Sequence, residues 1–243
     1  MTNYTESPRY RRCQALFDQR YPNFVNAAQH YAAWLAEAIS TDCALLDVGC
    51  GRGSLAPEVV RRAARSVGVD LVADDLRQNR TVQLPILANA YQLPFRAESF
   101  DVIASQWVVE HFPQPTKAFR EMARLLRPDG KIILLTTNAH NYVPFLSRLV
   151  PEAARQFALT RLLRRPVHES HPTFYRANTR RALSRAAEQA GLRVAQIIYV
   201  GNPFYMAFSL PLFRLALLYE RLTDAPRLNR FKLYLIARLE KMV

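Results

Sequence analysis

Cys43-Ala44-Leu45-Leu46-Asp47-Val48-Gly49-Cys50-Gly51-Arg52-Gly53 is the stretch on which the reading of this 243-residue chain turns. Its first six residues form the short apolar run of a buried strand, and three glycines follow within five positions. Only seven glycines occur in the whole chain, so their concentration marks a place where backbone bends sharply or lies against a ligand. A glycine loop that follows a strand and opens a helix is nucleotide-site geometry. The spacing departs from the dinucleotide fingerprint G-x-G-x-x-G, because the third glycine arrives one residue early and Ser54 holds the expected place. No Lys-Ser/Thr pair follows, which excludes a P-loop. The acid at the entrance, Asp47, would repel a pyrophosphate and favour a ligand that carries positive charge.

Working outward, the chain alternates strand-like and helix-like segments. Leu55 to Arg65 reads as a helix, and Ser66 to Asp70 as a second strand. Leu84 to Leu87 and Phe100 to Ala104 read as a third and fourth strand, Ala118 to Leu126 as a helix, and Lys131 to Thr137 as a fifth strand after the turn Arg127-Pro128-Asp129-Gly130. Asn178 to Ala190 is helical in pattern, Leu192 to Val200 strand-like, and Phe231 to Ala237 a closing strand. This rhythm predicts an α/β, Rossmann-like fold. Its seven-stranded, mostly parallel sheet carries helices on both faces, and its last strand is antiparallel. Ligands in such sheets sit beyond the carboxyl ends of the strands. Residues 9–40, with Ala27, Ala28, Tyr31, Trp34, Leu35 and Ile39 at helical spacing, form an N-terminal helical cap over 1–40. The main domain then covers 41–243, with lid insertions at 138–176 and 201–230.

In order along the chain, the glycine loop is joined by Val67-Gly68-Val69-Asp70, Asn89-Ala90-Tyr91-Gln92-Leu93-Pro94-Phe95 and Ser99-Phe100-Asp101-Val102-Ile103. Val109-Glu110-His111 and Leu126-Arg127-Pro128-Asp129-Gly130-Lys131 complete the series. Together these motifs resemble the class I methyltransferases that use S-adenosylmethionine (SAM), in particular the small-molecule branch that includes ubiquinone and menaquinone biosynthesis enzymes. The likeness covers roughly residues 41 to 137. SAM has no phosphate and carries an ammonium and a sulfonium, which suits Asp47. The resemblance implies cofactor contacts from Asp47, Gly49, Cys50, Gly51, Asp70, Leu71, Asn89, Ala90 and Gln106. In that pattern Asp70 receives the ribose hydroxyls, Asn89-Ala90 lies at the adenine where the family usually has Asp-Ala, and Gln106 lies near the methionine part. Glu110-His111 is expected to be structural.

Methyl transfer from a sulfonium is an in-line displacement, so alignment and exclusion of water matter more than covalent catalysis. A general base is needed only when the acceptor must lose a proton. His140, directly after the fifth strand, and Tyr175 are the candidates for it. His168, Glu169 and His171 invite a metal reading that lacks a clear further ligand, so no metal is expected. Tyr175-Arg176-Ala177-Asn178-Thr179 reads as the approach to a helix capped by Asn178.

The net charge is +13, and residues 138–243 hold 17 Lys/Arg against 6 Asp/Glu. Such a half is drawn to an anionic partner, although 29 of the 33 positive residues are arginine, a bias that genome composition also produces. The apolar run Phe204 to Phe213, continued by helix to Leu222 with Arg214 and Arg221, suggests an element that dips into an anionic membrane surface. A dimer interface or a plain lid over the pocket are the alternatives. The expected substrate is a small hydrophobic acceptor, such as a quinone precursor, another lipid-like molecule or an aromatic metabolite. Nucleic acid is disfavoured, because Ser105-Gln106-Trp107 lacks the Asn/Asp-Pro-Pro-Tyr/Phe motif of amino-methylating nucleic-acid enzymes and no stacking platform accompanies the arginines. An RNA methyltransferase and a SAM-binding regulator without catalysis are the competing functions. No apolar run reaches the length of a membrane span, the N-terminus lacks a signal-like core, and Cys13, Cys43 and Cys50 form no CxxC pair. A cytoplasmic protein, peripheral on the inner face of the membrane, is the expectation.

Overall fold

The computed structural model describes residues 7–149 and 172–242. The chain divides into two compact units. One comprises Ala27–Thr137, Thr173–Ile198 and Leu235–Val243, and the other Met1–Asn26, Asn138–Pro172 and Tyr199–Tyr234. Strands β1 to β7 are Ala44–Val48, Arg65–Asp70, Leu84–Leu87, Phe100–Gln106, Leu126–Thr137, Leu192–Val200 and Tyr234–Lys241. Helices α1 to α8 are Pro8–Arg20, Ala27–Ala38, Pro57–Val60, Ala73–Gln78, Pro115–Leu125, Tyr142–Leu149, Arg180–Glu188 and Leu210–Thr223.

The strands form one sheet in the order β3-β2-β1-β4-β5-β7-β6. The pairs β1/β2, β1/β4, β2/β3 and β4/β5 are parallel. Just past β5, the Asn138 N–H donates to the carbonyl of Leu233, just before β7 (2.7 Å). Just past β7, the Met242 N–H donates to Gly191, just before β6 (2.9 Å). Twice the end of one strand meets the start of its neighbour, so β7 runs antiparallel to both, as the sequence pattern predicts. The centre of the sheet is mostly apolar, with Leu45, Leu46, Ile103, Ile132 and Ile133 fully buried, as strands covered on both faces require. Strand order reverses between β1 and β4, which opens a crevice at their carboxyl ends. There Asp47 is register partner to Ala104.

Several elements differ from expectation for local reasons. The helix predicted over 55–65 is the single turn α3, because Pro57 can only begin a helix and the chain is already extended at Arg65. The turn at Arg127–Gly130 is absorbed into β5 as a bulge: Phe100 pairs with Leu126, and Val102 already with Lys131. The cap of α7 is Thr179, whose hydroxyl accepts from the Ala182 N–H (3.2 Å). Asn178 instead donates to Thr136 Oγ1 (2.7 Å) and to the Thr137 carbonyl (2.8 Å). The stretch 9–40 is helical, as expected, in two helices, α1 and α2.

In the second unit α1 starts at Pro8, with Ser7 accepting from the Tyr10 N–H. It packs Cys13 and Phe17 against Ala207 and Phe213. Phe204 lies 5.1 Å from Phe17 and 5.3 Å from Phe213, centroid to centroid. The apolar stretch Phe204–Phe213 is thus largely turned inward, and none of residues 204–210 is exposed. Its aromatic content is explained by this core.

Candidate functional site

The loop after β1 is held by backbone. The N–H groups of Gly49 and Cys50 both donate to the Val69 carbonyl (2.8 and 3.1 Å), tying the loop to the end of β2. The Gly51 N–H donates to Asp70 Oδ2 (2.8 Å), and Asp70 Oδ1 accepts from the Val72 N–H (2.9 Å). Asp70 therefore fixes the turn at the end of β2. Gly49 and Gly51 have φ of +79° and +46°, a region that disfavours any side chain. A Cβ at Gly49 would collide with Val108 Cγ2, whereas at Gly51 no atom lies within 4 Å of that position. Gly49 is required by packing, and Gly51 leaves an open backbone face.

Asp47 is fully buried. Its Oδ2 accepts from the Ser54 hydroxyl (3.1 Å), while Oδ1 has no hydrogen-bond partner among the described residues. Burial, opposed by the Ser54 bond and reinforced by the Asp70 charge, pushes its carboxyl up to about 7. An orphaned carboxylate oxygen in a buried setting is costly, and a cationic group beside it would relieve the cost. Cys50 is also buried, and burial with the Asp47 and Asp70 charges pushes its thiol up to about 12. It contributes main chain to the loop and no thiolate chemistry.

Parallel pairing of Asp70 with Leu87, and the bond from Ala88 N–H to the Asp70 carbonyl (3.0 Å), bring Asn89 and Ala90 to the same strand ends as Asp70 and Leu71. Leu71 is 67% exposed, a projecting apolar side chain beside the carboxylate. Asn89 is exposed, and its Oδ1 accepts from the Tyr91 N–H (3.0 Å). The Gln106 amide donates to the Ser54 carbonyl (3.0 Å) and accepts from Trp107 Nε1 (3.1 Å), which joins the end of β4 to the loop. Trp107 leaves the strand at φ +60°, a strained conformation for a bulky residue, and is followed by the Val108 that packs on Gly49. The structure thus brings Asp47, Gly49, Cys50, Gly51, Asp70 and Gln106 around one loop.

Asn79 went unrecognised in the sequence. Buried at the end of α4, it donates through Nδ2 to the Gly51 and Cys50 carbonyls (2.9 and 3.3 Å). Its Oδ1 accepts from the N–H groups of Thr81 and Val82 (2.9 and 3.2 Å). The signal available was an Asn directly after a helical stretch, where asparagine bonds nearby backbone.

Glu110 acts as an anchor, as expected. Its carboxylate accepts from the hydroxyls of Thr136 and Thr137, and Asn178 bonds the same pair of residues. Its carbonyl accepts from the N–H groups of Phe174 and Tyr175 (2.8 and 3.2 Å). Tyr175, at φ +52°, is thereby fixed to the 3-10 turn Val109–His111 that follows β4. His140 belongs to the other unit, is exposed, donates its N–H to Asn138 Oδ1 (3.2 Å), and has its ring 6.1 Å from that of Phe231. His168, Glu169 and His171 lie outside the described residues.

A family model described as a methyltransferase domain matches residues 46–134. The chain is 31% identical over 132 residues to a ubiquinone biosynthesis O-methyltransferase of Xanthomonas oryzae pv. oryzae, which covers 46% of this chain and 54% of the relative. It is 30% identical over 161 residues to the protein of the same name from Coxiella burnetii, covering 63% and 64%. The matched region thus spans between half and two thirds of the length of these curated relatives. The geranyl diphosphate C-methyltransferase of Streptomyces coelicolor A3(2), solved with Mg2+, geranyl diphosphate and S-adenosyl-L-homocysteine, superposes with a TM-score of 0.59 over 98% of this chain and 87% of that one at 17% identity. That likeness shows the Rossmann-like fold.

Proposed function

With residues 46–134 carrying a methyltransferase domain, we propose that this chain transfers the methyl group of SAM to a small, hydrophobic acceptor by in-line displacement. The observation that carries the reading is the pairing of an orphaned, buried Asp47 oxygen with the open backbone face of Gly51. Two carboxylates, Asp47 and Asp70, flank that face, a setting that repels phosphate and attracts a cationic nucleoside. The residues fit SAM: Asp47 would take the ammonium, Gly49, Cys50 and Gly51 the aminocarboxypropyl arm along main chain, and Asp70 the ribose hydroxyls. Leu71, Asn89 and Ala90 would border the adenine, and Gln106 the methionine end. Bound SAM supplies a methyl group on sulfur with a neutral thioether as leaving group.

The protein's own task is alignment. Asn79 and Asp70 keep the Gly51 turn in place from opposite sides, and Gln106 ties β4 to the same loop. For an acceptor that must lose a proton, Tyr175 would receive it, since Glu110 holds its backbone within the unit that contains Asp47.

The relatives' names favour a phenolic quinone precursor as the acceptor class. An acceptor of that kind would place the enzyme in the cytoplasm at the inner face of the membrane. The test is to incubate the purified chain with methyl-labelled SAM and a cell extract, then separate organic-soluble, RNA and aqueous fractions. Label in an organic-soluble small molecule is the expected result. Label in RNA would overturn the acceptor class, and SAM binding without label in any fraction would favour a regulator.

A further inference from the structure

We propose that the outer face of α8 is a docking surface for an anionic lipid bilayer. The helix buries Phe213, Ala216, Glu220 and Thr223, which recur at the spacing of one helical face. On the opposite face stand Leu215, Leu218 and Leu222, exposed by 62%, 52% and 55%, again one turn and two turns apart. Arg214 and Arg221, seven residues apart and both exposed, line one edge of this stripe. Leu212 and Tyr219 line the other, and the Tyr219 ring meets Tyr142 of α6 edge-on at 4.9 Å. Phe145 and Leu146, one turn further along α6, are exposed by 58% and 45%. A leucine ridge with aromatic and aliphatic neighbours on one flank and arginines on the other is how a helix lies in a membrane interface. None of the described helices is long and apolar enough to cross a membrane, so the helix lies on the surface.

Charge identifies the occupant. The sole carboxylate on α8 is Glu220, which is buried and takes the Asn202 N–H (3.1 Å). The nearest exposed acid after the helix, Asp224, is occupied by Lys232 Nζ (2.7 Å) and the Tyr21 hydroxyl (3.0 Å). A second copy docked on this face would bring two further arginines and no exposed acid from α8 to meet them. A leaflet rich in anionic headgroups supplies the missing negative charge. Docking here suits a lipophilic acceptor, as in the reading above, but is argued independently of it.

The experiment is flotation of the full chain with phosphatidylglycerol-containing vesicles and with pure phosphatidylcholine vesicles, at low and high salt. Binding to the anionic vesicles alone, weakened by salt, is expected. Leu215→Ser with Leu218→Ser should lower the partition coefficient about tenfold or more, and Arg214→Ala with Arg221→Ala should lower it about fivefold per arginine. Each variant is checked for an unchanged thermal transition and for unchanged affinity for SAM, so loss of docking is separable from loss of fold and from failure of the methyltransferase reading. Absence of vesicle binding by the parent chain, or equal binding by the leucine variant, would overturn the proposal. So would a dimer in sedimentation that the leucine variant dissociates, since the stripe would then serve a second copy.

Discussion

Replacing Asp47 by Asn should stabilise the fold while damaging the cofactor site. The Asp47 carboxyl is pushed from its ordinary 3.8 up to about 7, so the folded chain holds this proton more tightly than the unfolded chain does. The sign follows: between about pH 4 and pH 7 the folded state binds more protons, and stability from this group falls as pH rises. At about 1.4 kcal/mol per unit, the shift makes ionised Asp47 a penalty of roughly 4–5 kcal/mol above pH 7. Asn removes the penalty but leaves an amide where Oδ1 has no partner, a cost of about 1–3 kcal/mol. The variant should therefore gain roughly 1–3 kcal/mol at pH 8 and lose by comparison near pH 4. Denaturant unfolding read by tryptophan fluorescence suits the measurement, since Trp34 and Trp107 both lie in the unit that contains Asp47. Parallel stability-versus-pH curves for parent and variant would refute the reasoning. In the same variant, affinity for SAM should fall about tenfold or more, as loss of a charge-assisted bond implies.

Three further outcomes follow from the loop and its supports. Gly51→Ala should cost about 1–2 kcal/mol of stability, for a left-handed alanine, and most of the SAM affinity, whereas Gly49→Ala, driven into Val108, should impair folding itself. Equal effects of the two in calorimetry and thermal melting would contradict the assignment of an open face to Gly51. Asp70→Asn keeps acceptors for the Gly51 and Val72 N–H groups through one oxygen only, so SAM binding should weaken less than in Asp70→Ala, where about 2 kcal/mol or more is lost; titration calorimetry of both would show it. Glu110→Ala strands the Thr136 and Thr137 hydroxyls and should destabilise by about 2–4 kcal/mol, with urea unfolding as the readout.

The core of the fold was readable because its signals are local. An apolar run ending at Asp47, three crowded glycines and a second short apolar run ending at Asp70 fix β1, the loop and β2 within a few residues of one another. The strands beyond them followed from the same alternation. What failed depended on partners distant in sequence. That Phe204–Phe213 packs on α1, nearly 200 residues earlier, is visible only once the chain is folded. Asn178 has the composition of a helix cap, yet Thr136 and Thr137 claim it and leave the cap to Thr179. Asn79 supports the glycine loop from 28 residues away, with no periodicity to announce it. The double duty of Asp70 is of the same kind: its place at a strand end was legible, but its bond to Gly51 required the fold to close.

Titration calorimetry of the purified chain with SAM, and in parallel with NAD, tests the central claim most directly. The account predicts saturable one-to-one binding of SAM, weaker below pH 7 as Asp47 takes up its proton, and no binding of NAD. Binding of NAD without SAM would contradict it.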